Sequence, residues 1–374
     1  MIYLDNAATG GFKPRAVTET AQTVIKYLSA NPGRSGHHLS VTGAKLVYSC
    51  RENLSRFFCC GEDRVVFTKN CTEALNLAIF GTLQKGKKVI TTVYEHNSVL
   101  RPLYYLQNAG FINLEIVRPS ALRDVADEIE ERLDKDTYLI VCTAVSNVTG
   151  EVLPIRKIGK IAKKHGILFL VDGAQGGGHI PISLKQDDIS MLALAGHKGL
   201  YGIMGSGALL FSDDVEINPL SFGGTGIDSF SKTMPLNYPE RLEAGTLNLP
   251  AIACLNEGVK YVSEHLTHFS EQTEKNTEKI ISRLSEIKGV KLFSSPNPAG
   301  IVSFEIKDKE SSTVADILSR EYDIAVRGGF HCAPLVHKFY GTDKGGLVRV
   351  SIAVQNSSHE LSRLIDAVDK ISKL

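Results

Sequence analysis

Short apolar runs alternate with stretches of helical period along most of this chain, and that alternation limits the folds open to it. Val65–Thr68, Lys88–Thr92, Leu114–Val117, Tyr138–Thr143, Ile167–Val171, Met191–Ala195 and Ala208–Phe211 read as short buried strands. Between or before them, helices are predicted from Val17 to Leu28, up to about Phe58, and over Thr72–Leu83, 121–133 and Ile155–Lys164. Strand and helix in turn make an α/β fold with a mainly parallel sheet covered on both faces, whose ligands sit at the carboxyl ends of the strands. The pattern changes after Gly245–Pro250. A long helical stretch over Ala251–Lys288 precedes strands at Ile301–Ile306 and Leu347–Ile352 and helices at Thr313–Glu321 and His359–Leu374. The predicted organisation is a large domain over 12–250 and a smaller α+β domain made of 1–11 and 251–374.

The 374 residues carry 42 Lys+Arg against 41 Asp+Glu, a net charge of +1 that gives no overall attraction to nucleic acid or an anionic membrane. No apolar run is long enough for a bilayer, and the first residues do not read as a secretion signal. Seven cysteines, at 50, 59, 60, 71, 142, 254 and 332, are an odd number with no C-x-x-C pair. They read as free thiols in a reducing cytoplasm, with no zinc or other metal site. The run Gly81 to Lys88 nearly has phosphate-loop spacing, but Lys88 replaces the hydroxyl residue and the helix precedes the strand, so that reading fails.

Several polar groups fall at strand ends. Asp172 closes one apolar run, and Lys198 in Ala195-Gly196-His197-Lys198-Gly199 follows the next. Taken singly, the first is a cap or turn residue and the second a solvated lysine. Together they suit pyridoxal phosphate: Lys198 as the Schiff-base lysine, Asp172 paired with the protonated pyridine nitrogen. The amides of Cys71 and Thr72 and the Thr72 hydroxyl, at a helix start, could hold the phosphate or simply cap the helix. His96 follows another strand and could stack on the ring and move protons, or serve as a structural hydrogen bonder. Asn147 lies in a loop of the same kind. Cys332, in Arg327-Gly328-Gly329-Phe330-His331-Cys332-Ala333-Pro334, reads as an accessible thiol in a loop from 328 to 346, with His331 and Arg327 favouring its ionisation. Arg327 and Arg349 are candidates for a substrate carboxylate.

These motifs, in order from Tyr3-Leu4-Asp5-Asn6-Ala7-Ala8-Thr9 to Arg349-Val350-Ser351-Ile352-Ala353, resemble the class V, fold-type I pyridoxal-phosphate enzymes. Gly329-Phe330-His331-Cys332 is similar to the cysteine desulfurase and selenocysteine lyase branch. The resemblance implies a large domain with a seven-stranded type of sheet, pyridoxal 5'-phosphate as cofactor, and conversion of L-cysteine to L-alanine with sulfur taken up as a persulfide on Cys332. It implies Lys198, Asp172, Gln175 (to the ring's phenolic oxygen), His96, Thr72, His197 and Asn147 around the cofactor, and Arg349 at the substrate carboxylate. Glu243-Ala244-Gly245-Thr246 is similar to a segment that reaches a neighbouring subunit's phosphate site, which implies a homodimer. A sulfur-acceptor protein is a further implied partner. Ala195 stands where many relatives have a phosphate-binding serine, and Gly199 is an extra residue after the lysine. Selenocysteine lyase, class V aminotransferase, and a catalytically quiet sulfur-relay partner or scaffold are the alternative readings.

Overall fold

The computed structural model describes residues 1–120 and 124–374. A seven-stranded sheet runs in the spatial order Val65–Thr68, Gly207–Phe211, Met191–Ala195, Leu168–Asp172, Thr137–Thr143, Lys87–Thr92, Ile112–Val117. All are mutually parallel except Gly207–Phe211, which is antiparallel to both neighbours. Successive residues of a strand point to opposite faces, so each central strand feeds two cores. Leu192 and Leu194 enter one, and Met191, Ala193 and Ala195 the other. Burial on both faces explains why these strands read as continuous apolar runs rather than as alternations.

A second, antiparallel sheet has the order Arg327–Gly329, Leu347–Ser351, Ile301–Ile306, Val290–Leu292. Helices Ser311–Tyr322 and Ser358–Ser372 supply Val314, Leu318, Leu364 and Val368 to its core, which also takes Ile2 and Leu4 from the start of the chain. The strand Ile2–Tyr3 pairs in parallel with Ile324–Ala325. Helix Leu249–Ser285, 37 residues long, joins the two cores: Ile252, Leu255 and Val259 pack in the first, Ile280 and Leu284 in that of the second sheet.

Three stretches differ from the sequence expectation. Helix Asn97–Asn108 forms despite Pro102 inside it, because Val99, Leu100, Pro102, Leu103 and Leu106 are all buried there. Of the helix expected over 121–133, Val125–Glu130 is helical and 121–123 lie outside the described residues. The presumed loop from 328 to 346 contains helix Pro334–Tyr340, with Pro334 at a first-turn position where its missing N–H costs no helical bond.

Candidate active site

The carboxyl ends of four parallel strands and the starts of two helices surround a cavity of about 100 Å³. Lys198 and Asp172 both line it. Asp172 is the last residue of its strand and 3% exposed. Its Oδ1 accepts from the Ala174 amide at 2.9 Å and from Cys71 Sγ at 3.4 Å. Burial lowers the Lys198 pKa and the Asp172 carboxylate opposes that shift, while Arg349 and Arg327 add to it. An amine so placed gives up its proton more readily than a surface lysine. The extra residue Gly199 lies against glycine backbone: a Cβ there would sit 2.5 Å from the Gly177 carbonyl, and one on Gly178 2.2 Å from the Gly199 carbonyl.

Asn70, not Thr72, caps helix Cys71–Gly81: its Oδ1 accepts the Glu73 amide at 2.9 Å. Thr72 Oγ1 is left to meet Ser98 Oγ at 2.9 Å. Ser98 Oγ in turn lies 2.8 Å from His96 Nδ1, so three cavity-lining side chains form one hydrogen-bonded row. Nothing in the sequence reading singled out Ser98. Its only signal was its place two residues after His96. His96 Nδ1 also accepts the Ser98 amide at 3.1 Å, which makes His96 the cap of helix Asn97–Asn108. Burial, partly offset by Asp172, pushes His96 down to about 4, and His197 lies at about 4 through burial, Lys198 and Lys13. Both rings are therefore uncharged at neutral pH. His197 Nδ1 is 3.0 Å from Thr9 Oγ1, and Ala195 lines the cavity with no hydroxyl to offer. Behind this wall Glu95 is fully buried. Its Oε1 accepts from Thr92 Oγ1 at 2.7 Å and the Thr143 amide at 3.1 Å, and its Oε2 has no partner.

Residues 5–9 bond to Gln175, His197 and Arg349. Gln175 Nε2 donates to the Ala7 carbonyl at 2.9 Å, leaving Oε1 as a buried atom without a partner. The donor role that the resemblance implies for Gln175 is thus spent on the N-terminal segment in this state, although the amide carries a second N–H. Arg349 is 1% exposed within strand Leu347–Ser351. Its Nη2 donates to Asp5 Oδ1 at 2.9 Å, its Nη1 to the Asn147 carbonyl at 3.0 Å, and its Nε is buried and unpartnered. Arg327 stands directly opposite Arg349 in the antiparallel pair, placing two guanidinium groups at one edge of the site.

Cys332 is exposed on a turn with an unusual backbone: His331 has φ 49° and Cys332 φ 58°. Two consecutive non-glycine residues in the left-handed region cost roughly 1–2 kcal/mol each. Hydrogen bonds from three directions hold them there. Asn147 Nδ2 donates to the His331 carbonyl at 2.7 Å, the Asn97 amide to the Cys332 carbonyl at 2.7 Å, and the Ala333 amide to the Phe330 carbonyl at 3.0 Å. Asn147, expected at cofactor or substrate, therefore binds the cysteine turn in this structure. His331 does not stand beside the thiol as a cation. Its ring is 2% exposed, and burial with Arg349 and Arg327 nearby pushes it down to about 2.

Thr246 is not brought to this cavity. It hydrogen-bonds Asn31 at 3.4 Å, and the neighbouring Gly245 and Leu247 line a separate groove of about 840 Å³. Glu243, three residues earlier, is buried against Arg51 in an ion pair. Its Oε1 accepts the Phe67 amide at 2.7 Å, and Arg51 donates to the Val65 carbonyl. This pair satisfies the free edge of strand Val65–Thr68.

Among the described residues no group of side chains could hold a metal ion, and no helix is long and apolar enough to cross a membrane. The donor set does fit pyridoxal phosphate. A lysine and a carboxylate face one cavity, hydroxyls stand at two helix starts, and Gln175 lines the same cavity with one amide N–H beyond its bond to Ala7.

Comparisons with known proteins bear on the family. The family described as Aminotransferase class-V matches residues 2–364. A probable cysteine desulfurase of Methanothermobacter thermautotrophicus is 33% identical, covering 99% of this chain and 94% of its own. A cysteine desulfurase of Serratia proteamaculans is 30% identical, covering 100% and 94%. The apo structure of a cysteine desulfurase from Thermococcus onnurineus NA1 superposes with a TM-score of 0.91 at 30% identity, covering 100% of this chain and 94% of that one. The chain belongs to the class V aminotransferase family.

Proposed function

We propose that this chain is a cysteine desulfurase that binds pyridoxal 5'-phosphate, converts L-cysteine to L-alanine, and keeps the sulfur as a persulfide on Cys332. The observation that carries the reading is the seating of an exposed thiol on a turn bonded to Asn97 and Asn147, two residues flanking the Lys198–Asp172 cavity. When bound, the cofactor supplies an electron sink for the substrate's α-carbon. Lys198 would hold it covalently, with Asp172 keeping its ring nitrogen protonated and Thr72, His197 and the Cys71 amide at its phosphate. The lowered Lys198 pKa suits an amine that takes and returns a proton at the α-carbon. His96, uncharged, would lie against the ring. The unpartnered Nε of Arg349 is a buried donor suited to the substrate carboxylate. Cys332 thiolate attacks the substrate sulfur; the S–S bond forms as the C–S bond breaks, the β-carbon takes the electron pair and a proton, and alanine leaves. Thr246 lies apart from the cavity of its own chain, which suits a role at the phosphate of a second copy in a homodimer. Cytoplasmic location and a sulfur-acceptor protein complete the reading.

The test is alanine and sulfide release from L-cysteine with a thiol reductant. The parent is expected to release both. Cys332→Ala should lose turnover while keeping the cofactor's absorbance, and Lys198→Ala should lose the covalent cofactor band. Full desulfuration by Cys332→Ala would remove the nucleophile assignment.

A further inference from the structure

Cys332 owes its position to a backbone that a free peptide would not adopt, so something other than local preference must select it. Two of the hydrogen bonds on the turn come from cavity-flanking residues, Asn97 and Asn147. A further tie runs the other way. The His331 ring turns into the interior, and its Nε2 lies 3.0 Å from the Leu347 carbonyl. A carbonyl only accepts, so Nε2 carries the proton and Nδ1, buried without a partner, does not. Leu347 begins the strand that contains Arg349, and that strand pairs with Arg327–Gly329 just before the turn. The bond therefore ties the residue before the nucleophile to the strand that holds the carboxylate-binding candidate.

We infer that His331 is a positioning residue: its neutral imidazole anchors the left-handed turn to the Arg349 strand and so fixes Cys332 against Asn97 and Asn147. The ring suits this task. It reaches the Leu347 carbonyl from a left-handed residue, is enclosed at 2% exposure, and packs 6.0 Å from the His337 ring of the following helix. His337 is itself fully buried and bonded to Thr342 Oγ1 at 2.8 Å, so the anchor rests on a fixed support. A lysine or arginine at position 331 would add a third cation beside Arg327 and Arg349, and an apolar residue would remove the ring's bond to the Leu347 carbonyl. The inference rests on the desulfurase reading for the role of Cys332 but not for the geometry of the turn.

The test compares holoenzyme carrying His331→Leu, which removes the donor, with His331→Gln, which keeps a neutral N–H donor. Two readouts are taken. One is alanine release against L-cysteine concentration, alongside the half-saturation of the cofactor's spectral change. The other is amide hydrogen exchange of the peptide spanning 328–335. Leucine is expected to lower kcat at least tenfold with half-saturation within threefold of the parent, and to speed exchange of that peptide at least tenfold. Glutamine should bring both back to within about threefold. Parental kcat and exchange in the leucine variant would overturn the inference. So would equal losses in both variants, or loss of the cofactor band with leucine, which marks a purely structural residue. If the parent releases no alanine, the desulfurase reading has failed, and the exchange data alone decide whether His331 holds the turn.

Discussion

Glu95 offers a quantitative test of the electrostatics behind the cofactor wall. Burial, with Asp172 adding to it, raises its pKa from 4.5 to about 8, against the hydrogen bonds from Thr92 and Thr143 that favour the charged form. At neutral pH the folded protein holds Glu95 as an acid, whereas the unfolded chain has lost that proton. The contribution is complete below pH 4.5, is lost as pH rises, and is gone above about 8. Each pH unit in that window costs about 1.4 kcal/mol, so from pH 5 to 8 the loss amounts to roughly 4 kcal/mol. For a chain of this size, that is a shift in Tm of about 5 °C. Glu95→Gln keeps the acceptor for Thr92 and Thr143 but cannot ionise. Its Tm minus that of the parent should therefore climb by about 5 °C between pH 5 and 8 and then level off. The two holoproteins would be melted side by side at half-unit pH steps, where every other titrating group cancels. A difference that stays flat or falls over this window would mean that Glu95 is ionised inside the fold, and would refute the reasoning.

Other consequences are simpler. Glu243→Gln leaves Arg51 charged and buried without its partner, and chemical denaturation should show a loss of about 3–5 kcal/mol; a loss below about 1 kcal/mol would show that the pair is solvated. Ser98→Ala removes the hydroxyl beside Thr72 and should weaken cofactor binding to the apoprotein roughly tenfold, about 1.4 kcal/mol, measured by equilibrium dialysis. Adding Ala195→Ser should recover part of that affinity if both hydroxyls serve one phosphate.

The strands were legible wherever burial on both faces made them continuous. Val65–Thr68 and Met191–Ala195 have the bounds that their apolar runs suggest, as does helix Ile155–Lys164. Helix Asn97–Asn108 was not legible, because Pro102 argues against a helix locally and only the packing of its apolar face overrides it. The short helix after Cys332 is hidden among glycines for a similar reason. In the site, residue type and strand-end position marked out Lys198, Asp172, His96 and Thr72, which the cavity brings together. What the sequence could not convey is pairing at long separation: Arg349 with Asp5, Arg51 with Glu243, Asn147 with the His331 carbonyl. The first and third depend on how two sheets and the N-terminal segment meet, the second on what covers the edge of strand Val65–Thr68. Local pattern carries no record of that.

The contact between Asp5 and Arg349 joins residues 344 positions apart. On a ribosome adding about 5–20 residues per second, Asp5 emerges on the order of 20–70 s before its partner. Ile2 and Leu4 wait as long for much of the core they enter, since Val348 and Val350 come almost as late. The seven-stranded sheet can assemble during synthesis, but the segment that bonds Gln175, His197 and Arg349 cannot settle until strand Leu347–Ser351 has been made. Nascent chains halted before that strand should therefore leave residues 1–9 open to protease, and those halted after it should protect them.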